Sequence, residues 1–180
     1  MNIYYYVFLL LTLVYSTDYD YSLTDINSTS DTYGKNIGPD FFSSQVTLHY
    51  FGHQDWGTCS ARVGYLDELY KDLLAADIDN VKIIAIGREE FSSNNGDWTN
   101  GKDIPVLVDP SPYNTWSNWE AYQRALFFLD AAGEYVTDFT ITPWKAKREG
   151  NFGAITETGI QLFRKKIEWK NLFLPRKNWW

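Results

Sequence analysis

The chain has 180 residues, of which 44% are hydrophobic and 18% aromatic, and it carries a formal net charge of −7. That length fits one domain with short extensions, and that composition supplies a core without help from disulfides or metals. Charge is uneven: residues 145–180 carry +6 and residues 1–144 carry −13, and an acidic body argues against nucleic-acid binding.

Residues 1–16, MNIYYYVFLLLTLVYS, hold an apolar run of about a dozen residues, too short for a membrane-spanning helix and suited to a signal peptide. Val14 and Ser16 place compact residues before a cut preceding Thr17, although the segment has no Lys or Arg. The expectation is a secreted protein with no membrane span after cleavage, set against an uncleaved anchor or a buried strand. Residues 17–45 read as a polar leader. Within it, residues 18–32 are rich in Asp, Ser, Thr and Tyr without periodicity and are expected to be disordered or loosely packed. Asn27-Ser28-Thr29 is a glycosylation sequon, with Asn27 as acceptor.

Residues 46–51, VTLHYF, predict a strand, and residues 52–58 a loop. From Cys59 onward Val63, Leu66, Leu69, Tyr70, Leu73 and Leu74 recur at helical spacing, which predicts one buried helix face. Residues 81–87, VKIIAIG, are too apolar for a solvated edge and predict an inner strand. Strand, helix and strand make a right-handed βαβ unit with a parallel pair. Residues 89–103 read as a polar loop and 104–109 as a short extended piece. The two prolines in Asp109-Pro110-Ser111-Pro112 forbid helix there, and Asn114 is the predicted cap of a short helix over 115–122. Residues 125–129 and 134–139 predict a hairpin around the turn Asp130-Ala131-Ala132-Gly133. A final helix is expected over 154–170, with Ile155, Ile160, Leu162, Phe163 and Ile167 inward, before a basic aromatic tail, 171–180.

The order β-α-β, then α-β-β-α, is that of a thioredoxin-like α/β fold, a central mixed sheet flanked by helices. In that fold the first strand–helix junction carries a redox motif, with a nucleophile and, three residues later, a resolving cysteine. Here the junction reads Trp56-Gly57-Thr58-Cys59. Cys59 is the sole cysteine, so no intramolecular disulfide can form, and Trp56 cannot exchange a thiol.

Over residues 46–170 the chain resembles the N-terminal domain of selenoprotein P, an extracellular thioredoxin-like family. Cys59 falls where that family has the cysteine of its selenocysteine-x-x-cysteine motif, and Leu66-Asp67-Glu68-Leu69 is similar to its helix signature. Ile104-Pro105-Val106 resembles its Ile-Pro-Val, and Trp116 stands fourteen residues before Asp130, the spacing the resemblance implies. Phe127-Phe128-Leu129-Asp130 followed by Gly133 is similar to its hairpin. Most thioredoxin-like oxidoreductases place a cis-proline before the hairpin strand; near Arg124 this chain has none, as in selenoprotein P. The resemblance implies an ancestral thiol or selenol oxidoreductase acting on peroxides or disulfides, with Trp56 at the selenocysteine position and Cys59 as its partner. The family's histidine-rich segment and selenocysteine-rich tail are absent here, so selenium delivery does not carry over.

Three readings of Cys59 stand: a small buried hydrophobe, a one-cysteine redox centre at a helix N-terminus, and an intermolecular pairing site. Trp56 is either a stacking platform for a ligand or a residue packed over its loop. A codon one base from UGA, which encodes selenocysteine, is a third origin for it. His53 is a polar loop residue or a base beside the motif. His49, His53 and Asp55 do not make a recognised metal spacing, and no metal or cofactor is expected. Trp116, Trp119 and Tyr122 at helical spacing are expected in the core. The binding rim is expected to comprise Trp56, Gly57, Thr58 and Pro105. The basic tail is expected to meet an extracellular protein or a sulfated glycan, and the alternative overall function is a redox-inactive binding module.

Overall fold

The computed structural model describes residues 19–141. The expected signal segment, the helix over 154–170 and the basic tail lie outside the described residues.

The strands are β1 Leu23–Thr24, β2 Asn36–Ile37, β3 Val46–Phe51, β4 Val81–Arg88, β5 Val106–Asp109, β6 Ala125–Leu129 and β7 Tyr135–Thr140. The helices are α1 Gly57–Ala75, α2 Gly96–Thr99 and α3 Asn114–Asn118. The main sheet has the order β5-β4-β3-β6-β7. β3, β4 and β5 run parallel, while β6 and β7 return antiparallel. β4 is therefore an inner strand, as its continuous apolar run requires.

Alternation along the strands divides the core between two faces. One face carries Phe51, Ile84, Ile86, Leu107, Ala125, Phe127 and Leu129, packed with Trp116 and Trp119 into a single cluster. α1 packs on the opposite side of β4 and buries Val63, Leu66, Tyr70 and Leu73. Leu69 of the predicted face is only half-buried and Leu74 is exposed. Each fully buried large side chain contributes roughly 1.5–3 kcal/mol relative to exposure, so this double-faced core outweighs any single surface contact.

Four expectations are corrected. The stretch read as disordered or loosely packed is an ordered strap. Tyr21 enters the core beside Trp119, and its hydroxyl lies 2.8 Å from His49 Nδ1. Asp25 is fully buried; its Oδ1 accepts the Asn27 N–H at 2.9 Å and the Val106 N–H at 3.1 Å, and its Oδ2 accepts the Thr32 hydroxyl at 2.7 Å. The Ile26 N–H donates to the Val106 carbonyl at 2.9 Å, so the strap closes part of the outer edge of β5. Polar side chains spent on buried backbone groups leave no apolar period, which is why composition misreads them.

The loop 89–103 contains a 3-10 turn over Glu89–Asn94 and then α2, which seats a fully buried Trp98 against the Tyr50 ring. α3 starts at Asn114 itself and stops at Asn118, shorter than expected. Its start is held by Asp109 Oδ2, which accepts the Trp116 N–H at 3.0 Å. Trp116 and Trp119 are buried as expected, whereas Tyr122 is 40% exposed.

Candidate functional site

The C-terminal ends of β3 and β4 and the N-terminus of α1 meet at the loop 52–56. Gln54 anchors that loop. Its amide is buried, accepts the Arg88 N–H at 3.2 Å, and donates to the Arg88 carbonyl at 3.2 Å and to Asn95 Oδ1 at 3.0 Å. Gly87 makes this approach available, since a Cβ there would lie 2.3 Å from the Gln54 amide.

Trp56 flanks α1 with extended backbone, and its carbonyl accepts the Cys59 N–H at 2.7 Å and the Ser60 N–H at 3.1 Å. Its side chain is 48% exposed, Gly57 and Thr58 are exposed beside it, and Cys59 has no exposed surface. The motif thus points its first member outward and its last member into the core.

His53 is half-buried and lies between Phe91, 4.4 Å away centroid to centroid, and Trp116 at 5.5 Å, with Trp56 edge-on at 6.2 Å. Burial and the Arg88 cation lower its pKa, against weaker upward pulls from Asp55 and Glu90. The ring is therefore mostly neutral at neutral pH. Gln123 Nε2 lies 3.4 Å from His53 Nδ1 and donates to Cys59 Sγ at 3.8 Å. The Tyr50 hydroxyl is buried beside Cys59, and burial, followed by its charge and hydrogen-bond interactions with Cys59, raises its pKa. Arg88 completes the rim: its guanidinium stacks over Tyr113 at 4.0 Å and pairs with Glu90 at 3.0 Å.

The structure brings Trp56, Gly57, Thr58 and Cys59 together but leaves Pro105 elsewhere. The Ile104 N–H donates to Asp67 Oδ1 at 3.2 Å, and Asp67 lies roughly 15 Å along α1 from Trp56. Pro105 is buried at the far end of β5, where its carbonyl accepts the Ala85 N–H at 3.0 Å. It stands immediately before β5 and leaves the expected binding rim.

Asn27 is corrected as a glycan acceptor in the folded chain. It is fully buried, and its Nδ2 donates to the Lys102 and Ile104 carbonyls, each at 2.8 Å. His49 is a core residue with both ring nitrogens occupied, Nδ1 by Tyr21 and Nε2 by Thr47 Oγ1 at 2.7 Å. Among the described residues no group of three or more His, Cys, Asp or Glu is placed to hold a metal ion.

Sequence reasoning missed Gln123, which touches both His53 and Cys59. The available signal was its neighbour Arg124, at the position where thioredoxin-like oxidoreductases place their site-facing proline. Arg124 has a positive φ of 69°, and its N–H donates to the Phe51 carbonyl at 2.8 Å.

No protein-family model and no curated protein matches the chain. Solved structures do. The exposed lipoprotein thioredoxin Etrx1 of Streptococcus pneumoniae is 19% identical with a TM-score of 0.54, over 67% of this chain and 88% of that one. ScoI of Bradyrhizobium japonicum, solved with copper bound, is 16% identical with a TM-score of 0.54, over 68% and 88%. StoA of Bacillus subtilis is 16% identical with a TM-score of 0.53, over 67% and 87%. At such identities the likeness establishes the fold, and the fold is thioredoxin-like.

Proposed function

We propose that the chain is a secreted thioredoxin-fold protein of the selenoprotein P N-terminal type. It has kept the scaffold and lost two-centre exchange, and it uses the Trp56 rim for binding. The observation that carries this is the contrast within the motif: Trp56 is 48% exposed and Cys59 is fully buried. Exchange needs an exposed thiolate or selenolate to attack, and then a second thiol to resolve the mixed intermediate. An indole performs neither step. What it offers is a large amphipathic face for an apolar or stacking partner at little conformational cost.

Two measurements test the reading. Native protein at neutral pH should leave Cys59 unlabelled by a maleimide while the unfolded chain labels fully; rapid native labelling would contradict it. Trp56→Ala should weaken capture of an extracellular partner with the melting temperature unchanged, and an identical partner set for the variant would count against a binding role.

The exposure of side chain 56 above Cys59, His53 and Gln123 favours one second reading, in which position 56 is selenocysteine in the natural product. The chain would then be a selenol–thiol oxidoreductase for peroxides or disulfides. A UGA codon with a selenocysteine insertion element supports that reading, and a UGG codon ends it. The basic tail is proposed to bind an acidic protein or a sulfated glycan.

A further inference from the structure

Aromatic rings adjoin from Trp56 through His53 to Trp116, with Phe91 against the same imidazole. Arg88 stands over this strip, its guanidinium 5.7 Å from the Trp116 ring and 4.0 Å from the Tyr113 ring, and near enough to His53 to lower its pKa. Gln123 Nε2 lies 3.4 Å from His53 Nδ1 and can only donate to it, which leaves Nε2 of the neutral ring as the N–H donor. Two more donors, Arg88 Nε and Trp116 Nε1, are enclosed with no acceptor among the described residues. The neighbouring carboxylates are mostly engaged elsewhere. Glu89 accepts the Ser111 N–H at 3.1 Å and Asp109 accepts the Trp116 backbone N–H at 3.0 Å. Glu90 is the carboxylate that meets the guanidinium, 3.0 Å from Nη2, and both side chains of that pair reach solvent.

We propose that this rim binds small aromatic carboxylates: Trp56 and His53 take the ring, Arg88 takes the carboxylate, and Glu90 fills the carboxylate's place in the free protein. The assignment rests on the binding role already given to Trp56 and names the class of ligand. An exposed indole supplies a stacking face. A guanidinium held flat against two rings keeps its N–H edge fixed, and that edge matches a planar carboxylate. Donors enclosed without acceptors leave the ground beneath the rim positive, and inside a protein that field is felt strongly. A ligand with negative charge answers it; a neutral one does not. The Arg88–Glu90 contact shows the guanidinium already holding a carboxylate. A solvent-reaching pair of this kind contributes little to stability, so a ligand carboxylate displaces Glu90 at small cost.

The test titrates the full chain, isotope-labelled for NMR, with phenylpropionate, phenylpropionamide and cyclohexylpropionate, and follows the Trp56 indole and Gly57 amide signals. Phenylpropionate should bind tightest, with the amide and the cyclohexyl acid each weaker by about fivefold or more. Glu90→Gln should tighten phenylpropionate by about threefold, by freeing the guanidinium, and leave the amide unchanged. A gain in affinity does not arise from a damaged fold. Arg88→Gln should erase the difference between acid and amide; if that variant fails to fold, the Glu90→Gln titrations decide. Equal affinity for acid and amide, or no gain in Glu90→Gln, would overturn this assignment and leave the binding role of Trp56 standing. No shift at Trp56 with any of these probes would overturn both.

Discussion

At position 56 an indole occupies the exposed place at the α1 N-terminus, and three residues later Cys59 turns inward beneath Gln123. Spacing alone does not separate them, since residues three apart on a helix share a face; the extended backbone of Trp56, just outside α1, lets its side chain face outward while Cys59 is buried. Gln123 is different: it reaches Cys59 from 64 positions away in the sequence, and no local pattern marks it. His49 makes the same point about chemistry. Its place in a predicted strand says nothing of its charge, whereas complete burial lowers its pKa to about 3. The folded value lies below the unfolded value near 6.5, so the unfolded chain takes up the proton first. Stability from this residue is therefore full above pH 6.5 and is lost as pH falls toward 3. The loss approaches about 1.4 kcal/mol for each pH unit in that window. His53 acts in the same direction, so the check compares urea midpoints at pH 7 and pH 5 for the natural chain and His49→Gln. The drop should shrink by about half or more in the variant; equal drops would refute the assignment.

The elements owe their positions to a few buried carboxylates. Asp67, on the α1 segment Leu66-Asp67-Glu68-Leu69, accepts the Asp103 N–H at 2.6 Å and the Ile104 N–H at 3.2 Å. It thereby fastens the middle of α1 to the entrance of β5, which joins two motifs that the sequence presents separately. Its ion pair with Lys71, 2.8 Å long, has a lysine side chain 44% exposed and adds little. Asp67→Ala should cost about 2–4 kcal/mol in urea unfolding, through two amides left without a partner. Lys71→Ala should cost under about 1 kcal/mol. Equal losses would show that the ion pair, and not the amide contacts, matters. Asp25 plays the corresponding part for the strap. Asp25→Ala should speed hydrogen exchange at the Asn27 and Val106 amides by about tenfold or more, while β3 amides keep their protection. Unchanged exchange at Val106 would mean that the strap holds without this carboxylate.

Across the whole molecule, charge is divided between an acidic body and a basic end, residues 145–180 carrying +6. If that end binds a sulfated glycan, the full chain should elute from heparin at higher salt than a chain ending at Lys170; equal elution would reject tail-driven binding. The apolar elements were legible because their chemistry is local. The runs VTLHYF, VKIIAIG and ALFFL specify strands through alternation and continuous apolarity, and the residues of α1 specify a helix through their period. Their order is enough to select a thioredoxin-like sheet, because connection handedness leaves few alternatives. By itself, then, the sequence determined the five strands of the main sheet, the main helix, the fold and the half-filled motif, but not β1 or β2. Only the tertiary structure decided which polar residues are buried. It turned Asp25 and Asn27 from leader residues into interior hydrogen-bonding groups, removed Pro105 from the rim and set Gln123 and Tyr50 around Cys59. The physical reason is that a polar side chain has the same sequence signature in water as against a buried amide, and only its partners across the fold distinguish the two.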